Sequence, residues 1–195
     1  MQAAMMTAPL PMTSGPIASL VAWAEATPDA PALIGSTGTV RYAALLRGVR
    51  MQAAWLHQVG VRAGDTVAYS TEFAPRHYVG QVELFYAIAY LGAAILPLYP
   101  DVPLAARRQL IERFQVDWLV SERQQEQAGA ARQIDPRGFS ATGGQWSEQA
   151  APRGDQPDQP FLYEFTSGTT GAPKVVLLTG AQFSAKILVT AGLRS

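Results

Sequence analysis

Phe161-Leu162-Tyr163-Glu164-Phe165 runs into Thr166-Ser167-Gly168-Thr169-Thr170-Gly171-Ala172-Pro173-Lys174, and that in turn into Val175-Val176-Leu177-Leu178. The flanking runs are apolar, of strand length and rich in aromatic and β-branched side chains, so the segment reads as strand, polar loop, strand. The loop concentrates four hydroxyls, two glycines and one lysine, groups suited to an oxygen-rich anion. Glycines let the backbone turn its N–H groups toward one point and admit a bulky ligand without a Cβ clash. The hydroxyls add donors or metal contacts, and Lys174 adds a point charge for phosphate oxygens. Pro173 stiffens the loop and denies the preceding residue helical geometry. The common P-loop of nucleoside triphosphatases is excluded, because it needs Gly-Lys-Ser/Thr opening a helix, whereas Lys174 follows a proline and opens an apolar β-type run.

Upstream, helices alternate with short strands. Residues 17–26 read as a helix ended by Thr27-Pro28-Asp29. Residues 32–34 and 40–42, on either side of Gly35-Ser36-Thr37-Gly38, have the composition of an early β-hairpin. Leu45, Leu46, Val49, Ala53 and Leu56 recur at spacings of three and four, which predicts an amphipathic helix to about Val59 with Gly60 as its stop. A turn at Arg62-Ala63-Gly64-Asp65 leads into a strand at 66–69. Pro75 suits the first turn of a helix that is apolar on most faces and runs to about Leu91, deep in the core. A strand at 94–98 follows. Asp101 then caps a helix carrying Leu104, Leu110, Ile111 and Phe114, with Arg107 and Arg108 on its solvated face, before a strand at 118–120.

The glutamine-rich stretch 121–133 reads as an exposed helix, and 134–160, rich in Pro, Gly and Gln, as a mobile connection. The expected fold class is α/β: a mainly parallel sheet with helices on both faces. The expected organisation is an N-terminal segment over 1–27 and an α/β lobe over 28–133. After the connection, 161–195 adds strand, loop, strand and helix to the same lobe.

The 195 residues carry 15 basic and 15 acidic side chains, so nothing suggests broad attraction to nucleic acid or an anionic membrane. Any anion site must be local. The absence of cysteine excludes disulfides, thiolate metal sites and thiol nucleophiles, and makes a reducing cytoplasm the natural setting. The most apolar stretch, Leu84 to Leu98, is interrupted by Gly92 and Pro97 and falls short of the roughly 20 residues of a membrane span. His57 and His77 have no partner at metal-ligand spacing, and Trp23, Trp55 and Trp118 are assigned to packing. Asp65 and Glu83 are not brought together by any pattern.

The loop resembles the signature of the adenylate-forming superfamily, which comprises acyl- and aryl-CoA synthetases, peptide-synthetase adenylation domains and luciferases. That signature reads Thr-Ser-Gly-Thr-Thr-Gly-x-Pro-Lys-Gly, and residues 166–174 agree with it at every specified place. Val40-Arg41-Tyr42-Ala43-Ala44-Leu45 is similar to the family's first core motif, and Leu91-Gly92-Ala93-Ala94-Ile95-Leu96-Pro97-Leu98 to its second. The resemblance runs from about Pro28 to the end. It implies the N-terminal lobe of the adenylate-forming fold and a reaction between a small carboxylic acid and magnesium-bound ATP. An acyl-adenylate forms and its acyl group passes to coenzyme A or to carrier-protein pantetheine. Thr166, Ser167, Gly168, Thr169, Thr170, Gly171 and Lys174 would hold the ATP phosphates, with Lys174 as the catalytic cation, and no metal ligand is assigned.

The family's adenine wall, magnesium-binding glutamate, ribose-binding aspartate and C-terminal lysine have no counterpart here. The expectation is therefore a first lobe that is catalytically incompetent by itself. The alternative is a non-catalytic binding or assembly module that dimerises through surface a missing half would cover. Val175 stands where the family has glycine, and Gly180 where a histidine often follows the Thr179 position.

Overall fold

Apolar runs flanked by glycine and polar turns become strands here because both of their faces find helices to pack against. The computed structural model describes residues 15–36, 38–70, 78–99, 102–122, 129–139, 156–166 and 174–192. Helix α1 (Pro16–Ala26) leads to the antiparallel hairpin of β1 (Pro31–Gly35) and β2 (Gly38–Arg41), a small sheet of its own. Next comes α2 (Tyr42–Val59), which buries Leu45, Leu46, Val49, Ala53 and Leu56 on the face their spacing predicts. Gly60 stops it at φ 116°, with its N–H directed at the carbonyls of His57 and Leu56.

The large sheet is built from β3 (Thr66–Ser70), β4 (Ala94–Pro97), β5 (Trp118–Ser121), β6 (Arg132–Ile134), β7 (Pro160–Thr166) and β8 (Lys174–Thr179). Its order is β6-β5-β3-β4-β7-β8. All neighbours are parallel except β8, which runs antiparallel to β7 at the edge. The chain steps from β3 to β4 through α3 (Tyr78–Tyr90), then doubles back past β3 to β5 through α4 (Leu104–Arg113). Right-handed crossovers that run in opposite directions must place their helices on opposite faces.

The cores obey that rule. Val67, Tyr69, Ile95, Trp118 and Val120 pack with α1, α2 and α3, while Ala68, Leu96 and Leu119 pack with Leu110 and Ile111 of α4. The last helix, α5 (Gly180–Gly192), joins the first core, where Phe183 stacks against Phe161 with ring centroids 4.6 Å apart. Among the described residues, no helix is long and apolar enough to cross a membrane.

Three expectations are corrected. The helix expected to reach Gln133 gives way to β6, because residues 132–134 continue the sheet beside β5 and Ile134 enters the core. A polar composition concealed that strand, which buries one side chain of its three. Helix α4 starts behind Pro103 with no side-chain cap, and Asp101, expected to cap it, lies outside the described residues, as do Pro75 and His77. Leu104 is exposed and Arg107 buried, the reverse of the expected faces.

Two close contacts between elements can be tested. A Cβ on Gly60 would lie 3.0 Å from the Trp118 ring, and its positive φ strains any L-residue. Gly60→Ala should cost about 1–3 kcal/mol, read as a lower urea midpoint with unchanged slope. Glu83 of α3 lies against Gly48 of α2 and accepts a hydrogen bond from Gln52 Nε2 at 3.2 Å. Burial pushes its carboxyl above the ordinary 4.5, with Gln52 and the Arg47 charge pulling it partly back. The fold therefore favours protonated Glu83, and stability is lost as pH rises from the ordinary value through the raised one. Glu83→Gln should resist urea better than the native chain at neutral pH and lose that advantage below about pH 4.

Candidate functional site

The candidate loop leaves the sheet at the carboxyl end of β7. Leu162 pairs in parallel with Ile95, and the antiparallel ladder to β8 continues to its last rung, Thr166 opposite Lys174. The strands thus hold the first and last residues of the nine-residue signature side by side. Lys174 opens β8 and is exposed. Ser167, Gly168, Thr169, Thr170 and Gly171 lie outside the described residues.

Strand order explains why this edge is suited to a ligand. In open parallel sheets the crevice forms beyond the carboxyl ends of strands whose connections depart to opposite faces. By that rule the switch lies between β3, which leads out to β4, and β5, which leads out to β6, and β4 and β7 end at the same edge of the sheet. The Tyr69 phenol near that edge is pushed up to about 12, by burial first and then by Tyr99. It therefore stays neutral well into the alkaline range.

The sequence reading missed the residue that ties the end of β3 to the turn after β4. Arg107 was assigned to a solvated helix face, yet it is 3% exposed. Its Nε donates to the Val102 carbonyl at 2.8 Å, one terminal nitrogen to Ser70 Oγ at 2.9 Å, and the other to the Tyr99 carbonyl at 3.1 Å. The signal was present: Arg107 lies three and four residues before Leu110 and Ile111, both buried, and so shares their face. Tyr99 in turn sets its ring against Phe165, centroids 5.9 Å apart at 70°. Phe165 is the residue before Thr166.

The remaining candidates resolve into structure. Trp118 donates to Asp65 Oδ2 at 2.8 Å and has the Arg132 guanidinium over its ring at 3.7 Å, and Trp23 stacks on Tyr42. Asp65 and Glu83 have separate partners, Trp118 and Gln52. Among the described residues no group of three or more His, Asp or Glu could hold a metal ion.

A family model described as AMP-binding enzyme matches residues 20–193. Phenyloxazoline synthase MbtB of Mycobacterium sp. (strain MCS) is 32% identical over 162 residues, which is 80% of this chain and 13% of that protein. Pyochelin synthetase PchE of Pseudomonas aeruginosa (strain UCBPP-PA14) is 31% identical over 158 residues, 81% of this chain and 10% of that protein. Among solved structures, o-succinylbenzoate CoA synthetase (MenE) from Bacillus subtilis, in complex with the acyl-adenylate intermediate OSB-AMP, superposes with a TM-score of 0.76 at 25% identity. That match covers 88% of this chain and 44% of the other. The Klebsiella oxytoca NpsA N-terminal subdomain shares the fold, with a TM-score of 0.71 at 24% identity over 86% of this chain and 41% of that one. The chain thus spans less than half the length of each of these relatives.

Both departures from the signature have a structural setting. Val175 pairs with Phe165 and packs partly buried on the core beneath α4. Gly180 is buried at the start of α5, directly after Thr179, which forms a capping box with Gln182: Thr179 N–H donates to Gln182 Oε1 at 2.9 Å, and Gln182 N–H to Thr179 Oγ1 at 3.3 Å. A Cβ on Gly180 would lie 3.0 Å from the Gln156 carbonyl oxygen. Restoring the family's side chain with Gly180→His should overpack this corner and cost about 1–3 kcal/mol, measured as a lower denaturation midpoint.

Proposed function

We propose that this chain, which belongs to the AMP-binding enzyme family, supplies the triphosphate-gripping part of an enzyme that activates carboxylic acids with ATP. The observation that carries this reading is the Thr166–Lys174 rung. It closes a hydroxyl- and glycine-rich loop at the carboxyl edge of a parallel sheet, with an exposed ammonium group at its base.

The chemistry follows from the groups present. As the acid's carboxylate attacks the α-phosphorus, negative charge grows on the departing pyrophosphate. A cation and donors fixed before the reaction stabilise that charge without reorganising. Lys174 is the cation. The hydroxyls of Thr166, Ser167, Thr169 and Thr170 are the donors, and Gly168 and Gly171 let backbone amides approach the β and γ phosphates. Mg2+ enters on the ATP, with no residue of this chain assigned as its ligand. The acyl group then passes to a thiol of coenzyme A or of a carrier protein, in a reducing cytoplasmic setting.

In the full-length protein Lys174→Ala should remove one charged hydrogen bond in the transition state, about 2 kcal/mol or roughly thirtyfold in ATP–pyrophosphate exchange measured across a panel of carboxylic acids. An unchanged exchange rate would rule out the role. The 195-residue chain by itself should bind ATP only weakly, and submicromolar affinity in calorimetry would contradict that expectation.

A further inference from the structure

Arg107 lies where the connections of the sheet diverge. It reaches from α4 to Ser70, the last residue of β3, and to the carbonyls of Tyr99 and Val102 in the turn after β4. A leucine or methionine could fill this volume without the cost of taking a cation out of water. What arginine adds is a rigid planar fork that holds several oxygens at fixed relative positions. Two of those it holds belong to the turn that carries Tyr99, whose ring meets Phe165 edge to face. Phe165 then pairs with Val175 and Thr166 with Lys174. An unbroken line of contacts therefore joins a buried cation to the mouth of the loop.

We propose that Arg107 is a positioning residue for triphosphate binding. By fixing the turn after β4 it seats the Tyr99 ring against Phe165, and so sets the direction in which β7 leaves the sheet at Thr166. The inference rests on the reading of the loop as the phosphate site. It assigns to α4, which carries none of the signature, control over the aim of the Thr166–Lys174 rung. Tyr99 is the intermediary. As a residue it is 42% exposed, so its side chain can be removed with little loss of core.

The test titrates the full-length protein with a fluorescent N-methylanthraniloyl ATP and displaces it with inorganic tripolyphosphate or with AMP, for Arg107→Met, Arg107→Lys, Tyr99→Ala and Lys174→Ala. Arg107→Met and Tyr99→Ala should each weaken tripolyphosphate by about tenfold while changing AMP by less than about twofold, with Arg107→Lys between them and the native protein. A merely structural role would weaken both competitors together and lower the melting temperature in step. That pattern, or unchanged tripolyphosphate affinity in a Tyr99→Ala protein that melts like the native one, overturns the proposal. If Arg107→Met fails to fold, Tyr99→Ala decides alone. Lys174→Ala separates the two ideas. If it too leaves tripolyphosphate binding unchanged, the phosphate reading of the loop falls with this one, whereas weaker binding in Lys174→Ala alone removes only the role of Arg107.

Discussion

Everything in this lobe follows from β3 having β4 on one side and β5 on the other. Because right-handed crossovers leave β3 and β4 in opposite directions, α3 and α4 end on opposite faces, and both faces of the central strands are buried. The carboxyl ends of the parallel strands all lie along one edge of the sheet. β7, parallel to β4, delivers the loop at Thr166 to that edge, and the antiparallel β8 brings Lys174 back beside it.

Part of that edge is tied together by the protein's own side chains. Arg107 gives up hydration to bond the ends of two strand connections, and acceptors at 2.8–3.1 Å offset that loss. A buried guanidinium is an exacting way to tie two turns together, because its fork tolerates little displacement of the oxygens it holds. The Tyr99–Phe165 edge contact carries that order to β7. Elsewhere around the hairpin the contacts are softer. The Lys186–Glu164 ion pair, which joins α5 to β7, is partly exposed and adds little stability.

The places where sequence reading succeeded share a cause. Spacing at three and four residues located α2 because that helix has one apolar face, and Gly60 ended it because a positive φ is open to glycine. Continuous apolar runs gave β3, β4 and β5 because those strands are covered twice. Where it failed, a long-range partner had replaced the local signal. β6 is polar because it lies at the sheet edge with two of its three side chains exposed. Arg107 reads as a surface charge because its acceptors include Ser70, which is 37 residues away in the chain.

The sequence by itself determined the α/β class, the hairpin, most of the elements, and a hydroxyl- and glycine-rich stretch between two strands, since each depends on local periodicity or on nine contiguous residues. Only the tertiary structure decided the strand order, the burial of Arg107 and the fit of Gly180 against Gln156. Those features arise from contacts between residues far apart in the chain. The geometry that makes such contacts favourable exists only once the sheet has closed around its two cores.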